Sequence, residues 1–337
     1  MKKRRLFAAI LAAALAVSTL AGCGRSSGGS TGGSAAGSAS AGSASAASDD
    51  QITVGYACVD MNNTFQTYLV DAASKKADEL GVKFVMTDAQ NDVVKQQDQI
   101  KAMLQQGVDA MIVVAADSSA MEPVTAAVTA AGIPLVYCNI TPYGDATELP
   151  DGVYYVGSDE TEAGRMNGTL ACEAAGGKGG VAILMGGLVY EASYKRTDGI
   201  KEIVAQYPDM KVLAEETAEW QRDKAIDVTN NWLTAFGDEL KVVAANNDEM
   251  ALGALEALKA AGRTDVVVTG VDAIPDACES IKKGELLGTV FQDSKGQGGG
   301  AMEIAVKAVK GEAVEDFTWV PYIPVDSSNV DEYSGKN

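Results

Sequence analysis

The fold of this chain is decided by residues 52–87, which read ITVGYACVDMNNTFQTYLVDAASKKADELGVKFVMT. Apolar and β-branched residues dominate 52–57 and 83–87, and such short runs predict strands. Between them, residues 65–80 carry apolar side chains at spacings of three and four, which predicts an amphipathic helix that ends at Gly81. A strand, a helix and a second strand of these lengths indicate a parallel sheet covered by helices.

The same unit repeats along most of the chain. Further strands are predicted in two groups, at 110–114, 134–138 and 153–157, and then at 180–184, 211–215, 242–245, 266–269 and 289–291. Helices are predicted between and after them, at 93–106, 119–131, 162–175, 193–206, 224–236, 249–261, 275–283 and 296–310. Two such units without a long linker predict an α/β fold of two doubly wound parallel-sheet lobes. Ligands of open α/β sheets bind beyond the carboxyl ends of the strands, so the expected site is the cleft between the lobes.

The composition argues against nucleic-acid binding and against catalysis. The 337-residue chain has a formal net charge of −19, and a strongly acidic surface repels phosphate groups. Histidine, the side chain best suited to proton transfer near neutral pH, is absent. The sequence contains no catalytic triad, phosphate-binding loop, metal-ligand cluster or dinucleotide-binding glycine pattern. We therefore expect a binding protein rather than an enzyme, with no cofactor and no metal site.

The N-terminal segment predicts export and a lipid anchor. Residues 1–5 form a basic segment, with Lys or Arg at every position after Met1, and residues 6–20 are mostly apolar, as in a signal peptide. The following Leu20-Ala21-Gly22-Cys23 resembles the bacterial lipobox, in which the cysteine is acylated and becomes the new N-terminus. An ordinary signal peptide, with small residues that suit its peptidase, is the alternative. The lipobox interpretation makes 1–22 a lipoprotein signal peptide and Cys23 the lipidation site, and it predicts an extracytoplasmic protein anchored to the cell membrane.

A tether follows this anchor. Residues 24–48 consist of Gly, Ser, Ala and Thr apart from Arg25, a composition that cannot build a core. We expect residues 23–49 to be an acylated cysteine followed by a disordered linker, with a root-mean-square reach of roughly 25–30 Å.

Four further cysteines lie in predicted strands or helices: Cys58, Cys138, Cys172 and Cys278. Their spacing selects none of the three pairings that four cysteines allow. Buried free thiols are the favoured state, and a disulfide stays open because the compartment can be oxidising.

Several motifs together resemble the ribose-binding-protein family of type I periplasmic solute-binding proteins. The motifs are Asn62-Asn63-Thr64-Phe65, Gly157-Ser158-Asp159 with Ala163-Gly164, the run from Asn246 to Leu255, Gly270-Val271-Asp272 with Pro275-Asp276, and Gly288-Thr289-Val290-Phe291-Gln292. The likeness extends from about residue 52 to about residue 324. The lactose-repressor family shares the fold, but its helix-turn-helix would stand where this chain has the lipobox and tether.

This resemblance implies a hinge of three crossovers between the lobes. They are placed near Gly157–Ser158, near Gln292–Asp293 and near Tyr322–Pro324. The N-lobe would then comprise 50–157 plus 293–322, and the C-lobe 158–292 plus 323–333.

The resemblance also implies a function. The protein would be the substrate-binding component of an ABC importer, binding a neutral sugar or cyclic polyol and closing its lobes around it. The expected partners are this small ligand, the membrane permease and the lipid anchor, with the protein a monomer and nucleic acid excluded. The alternative is a receptor of the same build that feeds a chemotaxis or histidine-kinase sensor.

Eight residues are the candidate ligand-binding set: Asn63, Phe65, Asn139, Tyr194, Trp220, Asn247, Asp272 and Gln292. The resemblance assigns the amides and the carboxylate to ligand hydroxyls and the two aromatic rings to the apolar face of a sugar ring. Plain structural roles compete at four positions: helix capping for Asn63, core packing for Phe65, an Asx turn for Asp272 and, at Asn247, a capping box that its neighbour Asn246 would form with Glu249.

Two departures from the ribose binders put ribose itself in doubt. The pair Asn139-Ile140 stands where those proteins carry Asp-Arg, and Tyr194 aligns with their second-lobe arginine. Arg196, two residues later, is interpreted as structural. The run 290–298 and Trp220 resemble inositol- and rhizopine-type members more closely, so an inositol-like ligand is slightly favoured.

Overall fold

A computed structural model describes residues 51–144 and 146–337. The signal peptide, the lipidation site Cys23 and the tether predicted for 1–49 lie outside the described residues. Within the described ranges, no helix is long and apolar enough to cross a membrane.

In chain order the strands are β1 (Thr53–Cys58), β2 (Lys83–Asp88), β3 (Ala110–Val113), β4 (Leu135–Cys138), β5 (Val153–Gly157), β6 (Lys178–Met185), β7 (Asp209–Thr217), β8 (Leu240–Ala245), β9 (Val267–Thr269), β10 (Gly288–Phe291), β11 (Phe317–Trp319) and β12 (Ile323–Asp326). The helices are α1 (Thr64–Leu80), α2 (Val93–Gln105), α3 (Glu122–Ala130), α4 (Glu160–Ala174), α5 (Glu191–Val204), α6 (Arg222–Phe236), α7 (Asp248–Ala260), α8 (Pro275–Lys282), α9 (Gly300–Val309) and α10 (Val330–Tyr333). A 3₁₀ turn at Ser118–Ala120 precedes α3, and a π-helical turn at Lys295–Gly299 leads into α9.

The first lobe is built on a six-stranded parallel sheet. Its strand order is β11-β5-β4-β3-β1-β2, and every neighbouring pair is parallel. Helices α1 and α9 pack on one face through residues such as Leu69 and Met302. Helices α2 and α3 pack on the other face through residues such as Ile100 and Val128. Covering both faces explains why β3 is fully buried and apolar throughout.

The second lobe repeats this plan with one reversed strand. Its order is β12-β10-β9-β8-β6-β7, with α6, α7 and α8 on one face and α4 and α5 on the other. Strand β12 runs antiparallel to β10, with Phe291 opposite Ile323. β10 ends where the chain leaves this sheet and β12 begins where it returns, so the two strands must run in opposite directions.

The chain passes between the sheets three times, as the predicted fold class requires. It leaves the first sheet after β5, returns after β10 to add α9 and β11, and enters the second sheet again between Trp319 and Ile323. Two parallel-sheet lobes joined by three crossovers confirm the fold class. The sequence reading missed β11 and β12, which have three and four residues and lie around two prolines, Pro321 and Pro324.

Close packing of α4 against α5 sets up the site. At Gly164 of α4 an added Cβ would lie 2.1 Å from the carbonyl oxygen of Arg196, so only glycine fits there. This approach places the Arg196 side chain beside Glu160 at the start of α4.

The four cysteines of the described residues are buried and free. Burial raises the pKa of the Cys58 and Cys138 thiols to about 12 and that of Cys172 and Cys278 to about 11. The favoured prediction of free thiols therefore agrees with the structure, and these protonated thiols are poor nucleophiles.

Candidate functional site

A cleft of about 550 Å³ separates the carboxyl ends of the strands in the two sheets. Its size is in the range of small-molecule sites. Seven of the eight predicted residues line it: Asn63, Phe65, Asn139, Trp220, Asn247, Asp272 and Gln292. Within 51–144 and 146–337, no cluster of three or more His, Cys, Asp or Glu side chains is arranged to hold a metal ion.

Tyr194 is the exception, and Arg196 takes its place. Tyr194 is 47% exposed and its hydroxyl donates to the carbonyl of Leu188 at 2.6 Å, outside the cleft. Arg196 is buried and lines the cleft. Both belong to α5, and two residues on a helix are separated by about 200°, so they face opposite sides. The structure thus contradicts the assignment of Tyr194 to the ligand. It places Arg196, interpreted from the sequence as structural, at the wall of the cleft as well as in buried structural contacts.

Arg196 connects all three crossovers. Its Nε donates to Glu160 at 2.6 Å, directly after the first crossover. Its Nη2 donates to the side chain of Gln292 at 3.1 Å and to the hydroxyl of Tyr322 at 3.0 Å, at the second and third crossovers. Its Nη1 donates to the carbonyl of Asn246 at 2.7 Å. The planar guanidinium fork makes such simultaneous contacts in fixed directions.

The charges at this point compensate one another. Burial, the largest single influence, acts to lower the pKa of Arg196, but Glu160, Tyr322 and Asp272 together raise that pKa above its usual range. Burial raises the pKa of Asp272 well above its usual range, and Arg196, with Nη1 at 3.9 Å from the carboxylate, opposes this shift. Burial likewise raises the pKa of the Tyr322 hydroxyl, which donates to Glu160 at 2.9 Å. The floor of the cleft is therefore polar, and among the residues that the structure describes both arginines lining it, Arg196 and Arg222, are paired with carboxylates.

Trp220 forms an aromatic wall on the second lobe. Its backbone is left-handed, with a φ of 67°, in the loop between β7 and α6. An added Cβ at Gly186 would lie 2.0 Å from the indole, so the glycine provides the space for the ring. Tyr190 lies beside it, with ring centroids 6.3 Å apart. The Arg196 guanidinium lies over the indole, 5.8 Å from its centroid.

Asn63 and Phe65 begin α1 on the first lobe. The Asn63 Oδ1 accepts from the backbone N–H of Phe65 at 3.0 Å and caps the helix, so only its amide NH2 could donate to a ligand. Phe65 is 6% exposed and packs in the core of the first lobe while lining the cleft. The structural role and the cleft position are thus compatible at both residues.

Asn247 caps α7, whereas the sequence favoured its neighbour Asn246 for that role. The Asn247 Oδ1 accepts from Met250 N at 3.0 Å, and its Nδ2 donates to the Trp220 carbonyl at 3.4 Å. Asn246 is fully buried and donates to the Ser193 carbonyl at 2.9 Å. Asn247 therefore fixes the loop that carries the indole.

Gln292 presents an unused donor. Its side chain is 1% exposed and lines the cleft, and its Oε1 accepts from Arg196. Its Nε2 is buried without a hydrogen-bond partner among the described residues. A buried amide N–H without a partner is costly, so this atom favours a ligand that brings an acceptor.

Asn139 and Gln66 form a buried amide pair on the first lobe. The Gln66 Nε2 donates to the Asn139 Oδ1 at 3.2 Å, and the Asn139 Nδ2 donates onward to Gln297 at 3.0 Å. Both side-chain groups of Asn139 are thus engaged within the protein. Gln66 is 4% exposed, lines the cleft and was not among the predicted site residues.

Hydrogen bonds between described residues join the lobes across the cleft. The Thr64 hydroxyl on α1 donates to Glu249 on α7 at 2.9 Å. The Tyr190 hydroxyl donates to the side chain of Asn91 in the first lobe. Glu249 is held in turn by Arg222 at 2.8 Å. The two lobes are therefore in a closed arrangement around the cleft.

A cleft between two α/β lobes that meet at three crossovers defines a two-lobed small-molecule receptor. The model of the periplasmic binding protein domain matches residues 54–313. The chain belongs to this family of periplasmic binding proteins, which are extracytoplasmic receptors for solutes.

The relatives include sugar and polyol receptors. A Rhizobium meliloti protein named for rhizopine binding is 41% identical over 290 residues, covering 85% of this chain and 93% of the relative. The xylitol-binding protein of Mycolicibacterium smegmatis is 36% identical over 285 residues, covering 85% of this chain and 80% of the relative. A solute-binding protein of an ABC transporter from Bacillus halodurans, solved with bound myo-inositol, has a TM-score of 0.79 and 37% identity, covering 85% of this chain and 98% of its own.

Proposed function

We propose that this protein is the substrate-binding component of an ABC importer and that it binds a neutral cyclic polyol, inositol-like in shape, in the cleft between its lobes. It is not an enzyme in this proposal, since the cleft residues serve hydrogen bonding and ring packing. The lobes close around the ligand, and the closed form presents it to a membrane permease.

The unpaired Nε2 of Gln292 carries this proposal. It is a neutral donor in the floor of the cleft, and the hydroxyl of a polyol can accept from it. The Trp220 indole, which lines the same cleft, can cover an apolar ring face, while Asp272 can accept from hydroxyls at the ring's edge. The ligand of the Bacillus halodurans relative, myo-inositol, is a ring of this kind.

A thermal-shift and calorimetric screen of the purified protein tests the proposal. The panel contains inositols, hexoses, pentoses and alditols, with amino acids and purine nucleosides as the comparison set. A matching polyol at a hundredfold excess over its Kd raises the apparent free energy of unfolding by about 2.7 kcal/mol. A shift with amino acids or nucleosides and none with any polyol would show that the ligand class is wrong.

Removing a bond between the lobes should favour opening. In Thr64→Val the hydroxyl that donates to Glu249 is lost, while the side chain keeps its size. One hydrogen bond contributes about 0.5–1.5 kcal/mol, so we expect polyol affinity to fall about threefold to tenfold. The bond exists only in the closed form, so its loss shifts the ligand-free protein toward the open form. Small-angle scattering of the ligand-free variant should therefore give a larger radius of gyration.

Thr67→Val is the matched control for this variant. The Thr67 hydroxyl donates within α1, to the carbonyl of Thr64 at 2.7 Å, and makes no bond to the other lobe. It should leave both the affinity and the radius of gyration unchanged. If the two variants have the same polyol affinity and the same radius of gyration, the Thr64–Glu249 bond does not contribute to closure.

Lipid anchoring through Cys23 and delivery to a permease are parts of the same proposal. They are supported by the sequence 20–23 and by the family, whose members work outside the cytoplasm. Metabolic labelling with a fatty acid, lost in Cys23→Ser, is the direct measurement of the anchor.

A further inference from the structure

A line of four buried polar side chains runs from the cleft to the hinge. The Gln66 Nε2 donates to Asn139 at 3.2 Å, the Asn139 Nδ2 to Gln297 at 3.0 Å, and the Gln297 Nε2 to the Ser158 hydroxyl at 2.8 Å. Gln297 is fully buried in the π-helical turn, and Ser158 directly follows β5 at the first crossover. We call these four side chains the amide relay.

The relay has a direction. Each amide donates its NH2 to the oxygen of the next side chain, so every nitrogen and oxygen between Gln66 and Ser158 is used. The atom left over is the Gln66 Oε1, which is buried without a partner among the described residues. Because the relay holds the NH2 of Gln66 on Asn139, the group that Gln66 can offer to a ligand is an acceptor.

The surroundings of the Gln66 Oε1 explain why it has no hydrogen-bond donor among the described residues. Gln66 occupies the first turn of α1, next to the cap residue Asn63, and its side chain is 4% exposed. The neighbouring Phe65 is apolar and Asn139 already donates its NH2 to Gln297. A buried carbonyl oxygen that finds no donor in the closed form destabilises that form.

We propose that Gln66 is a specificity-determining residue of the cleft, selecting ligands that direct a hydroxyl donor toward α1, and that Asn139, Gln297 and Ser158 are its positioning residues. This inference rests on the proposed polyol function. It adds to that function the recognition of the ligand hydroxyl that faces α1. When the lobes close around a ligand that lacks a hydroxyl at this position, the buried Gln66 oxygen has no hydrogen-bond donor from the ligand or from water.

The experiment compares a polyol with its deoxy analogues. Isothermal titration of the wild-type protein with myo-inositol, its stereoisomers and the monodeoxy derivatives of whichever ring binds measures the effect of each hydroxyl. Removal of the one hydroxyl that donates to the Gln66 oxygen should weaken binding about 10- to 100-fold, because that oxygen is then left without a donor. In Gln66→Met, which keeps the side-chain length without the amide, that ratio should approach one while the ratios for the other hydroxyls persist.

Two further variants separate positioning from plain stability. Gln297→Met breaks the relay at a residue outside the cleft, and it should reduce the same analogue ratio. Gln96→Met is the matched control, because Gln96 is an equally buried glutamine of the first lobe that bonds only to the backbone of Ala57, Val114 and Ala116. It should lower the melting temperature and leave every analogue ratio unchanged.

The outcomes distinguish the inference from the function beneath it. If the wild-type protein binds a polyol and Gln66→Met retains all of its analogue ratios, the inference is overturned and the proposed function stands. If Gln96→Met changes the same ratio as Gln66→Met, the effect is one of stability and the inference is again overturned. If the wild-type protein binds no polyol, the proposed function and the inference fall together.

Discussion

Arg196→Met is expected to destabilise the protein by about 3–5 kcal/mol and to abolish polyol binding. The variant leaves the carboxylates of Glu160 and Asp272 buried without their shared cation, and breaking a buried ion pair from one side costs about this much. It also releases the side chains of Gln292 and Tyr322, so the floor of the cleft loses its geometry. Urea unfolding and calorimetry are the measurements.

The destabilisation should depend on pH. Arg196 opposes the burial that raises the pKa of Asp272, so its removal lets that pKa rise further. A carboxyl group whose folded-state pKa is raised contributes stability that is complete below the unfolded value, about 3.9, and is lost as the pH rises through the folded value. The variant should therefore recover part of its deficit at pH 5 relative to pH 8. An equal deficit at both pH values would contradict the buried-carboxylate explanation.

Arg165→Met is the control for arginine removal on the neighbouring helix α4. Arg165 pairs with Glu202 at 2.8 Å, but its side chain is 43% exposed. Exposed pairs of this kind contribute about 0–1 kcal/mol, and this one lies outside the cleft. Arg165→Met should therefore lose much less unfolding free energy than Arg196→Met, because the two arginines differ in burial.

The fold could be predicted from the sequence because its elements are strongly periodic. The helix over 65–80 and the strands on either side were predicted within one or two residues of α1, β1 and β2. Strands β11 and β12 could not be found in this way. They are too short to show a period, and only the pairing of β11 with β5 and of β12 with β10 makes them strands.

The lining of the candidate site was predictable where a residue follows a strand. Asn247, Asp272 and Gln292 all come directly after the carboxyl end of a strand or one to three residues beyond it, and parallel strands deliver such residues to one edge. Residues on helices were less predictable, because their direction depends on where the helix begins and how it packs. Helix α5 begins at Glu191, and its contact with α4 turns Arg196 toward the cleft and Tyr194 away from it.

Gln66 illustrates a further limit. In the sequence it is an ordinary polar residue of an amphipathic helix, and such a residue is expected on the solvent-exposed face. Only the arrival of Gln297 from a segment more than 200 positions later, across Asn139, makes it part of a buried relay. The one signal in the sequence was its position, three residues after the candidate Asn63 and one residue after the candidate Phe65, in the first turn of a helix that follows a strand.

Trp220→Ala is expected to weaken polyol binding by about 30- to 1,000-fold. The indole is the large aromatic face of the cleft on the second lobe, and a central aromatic anchor of a site typically contributes at least about 2–4 kcal/mol. The fold should survive, because Trp220 is only partly buried and packs at the edge of the second-lobe core. Calorimetry gives the affinity, and the melting temperature of the ligand-free variant reports the fold.

Fluorescence provides an independent test of the same residue. Of the three tryptophans, Trp232 lies in the core at 3% exposure and Trp319 is 57% exposed, so a polyol in the cleft should change the emission of Trp220. The change should disappear in Trp220→Phe and persist in Trp319→Phe. Trp220→Phe should retain more affinity than Trp220→Ala, because a phenyl face still covers the ring. Wild-type affinity in Trp220→Ala would mean that the ligand does not pack on this wall, and the polyol orientation proposed here would be wrong.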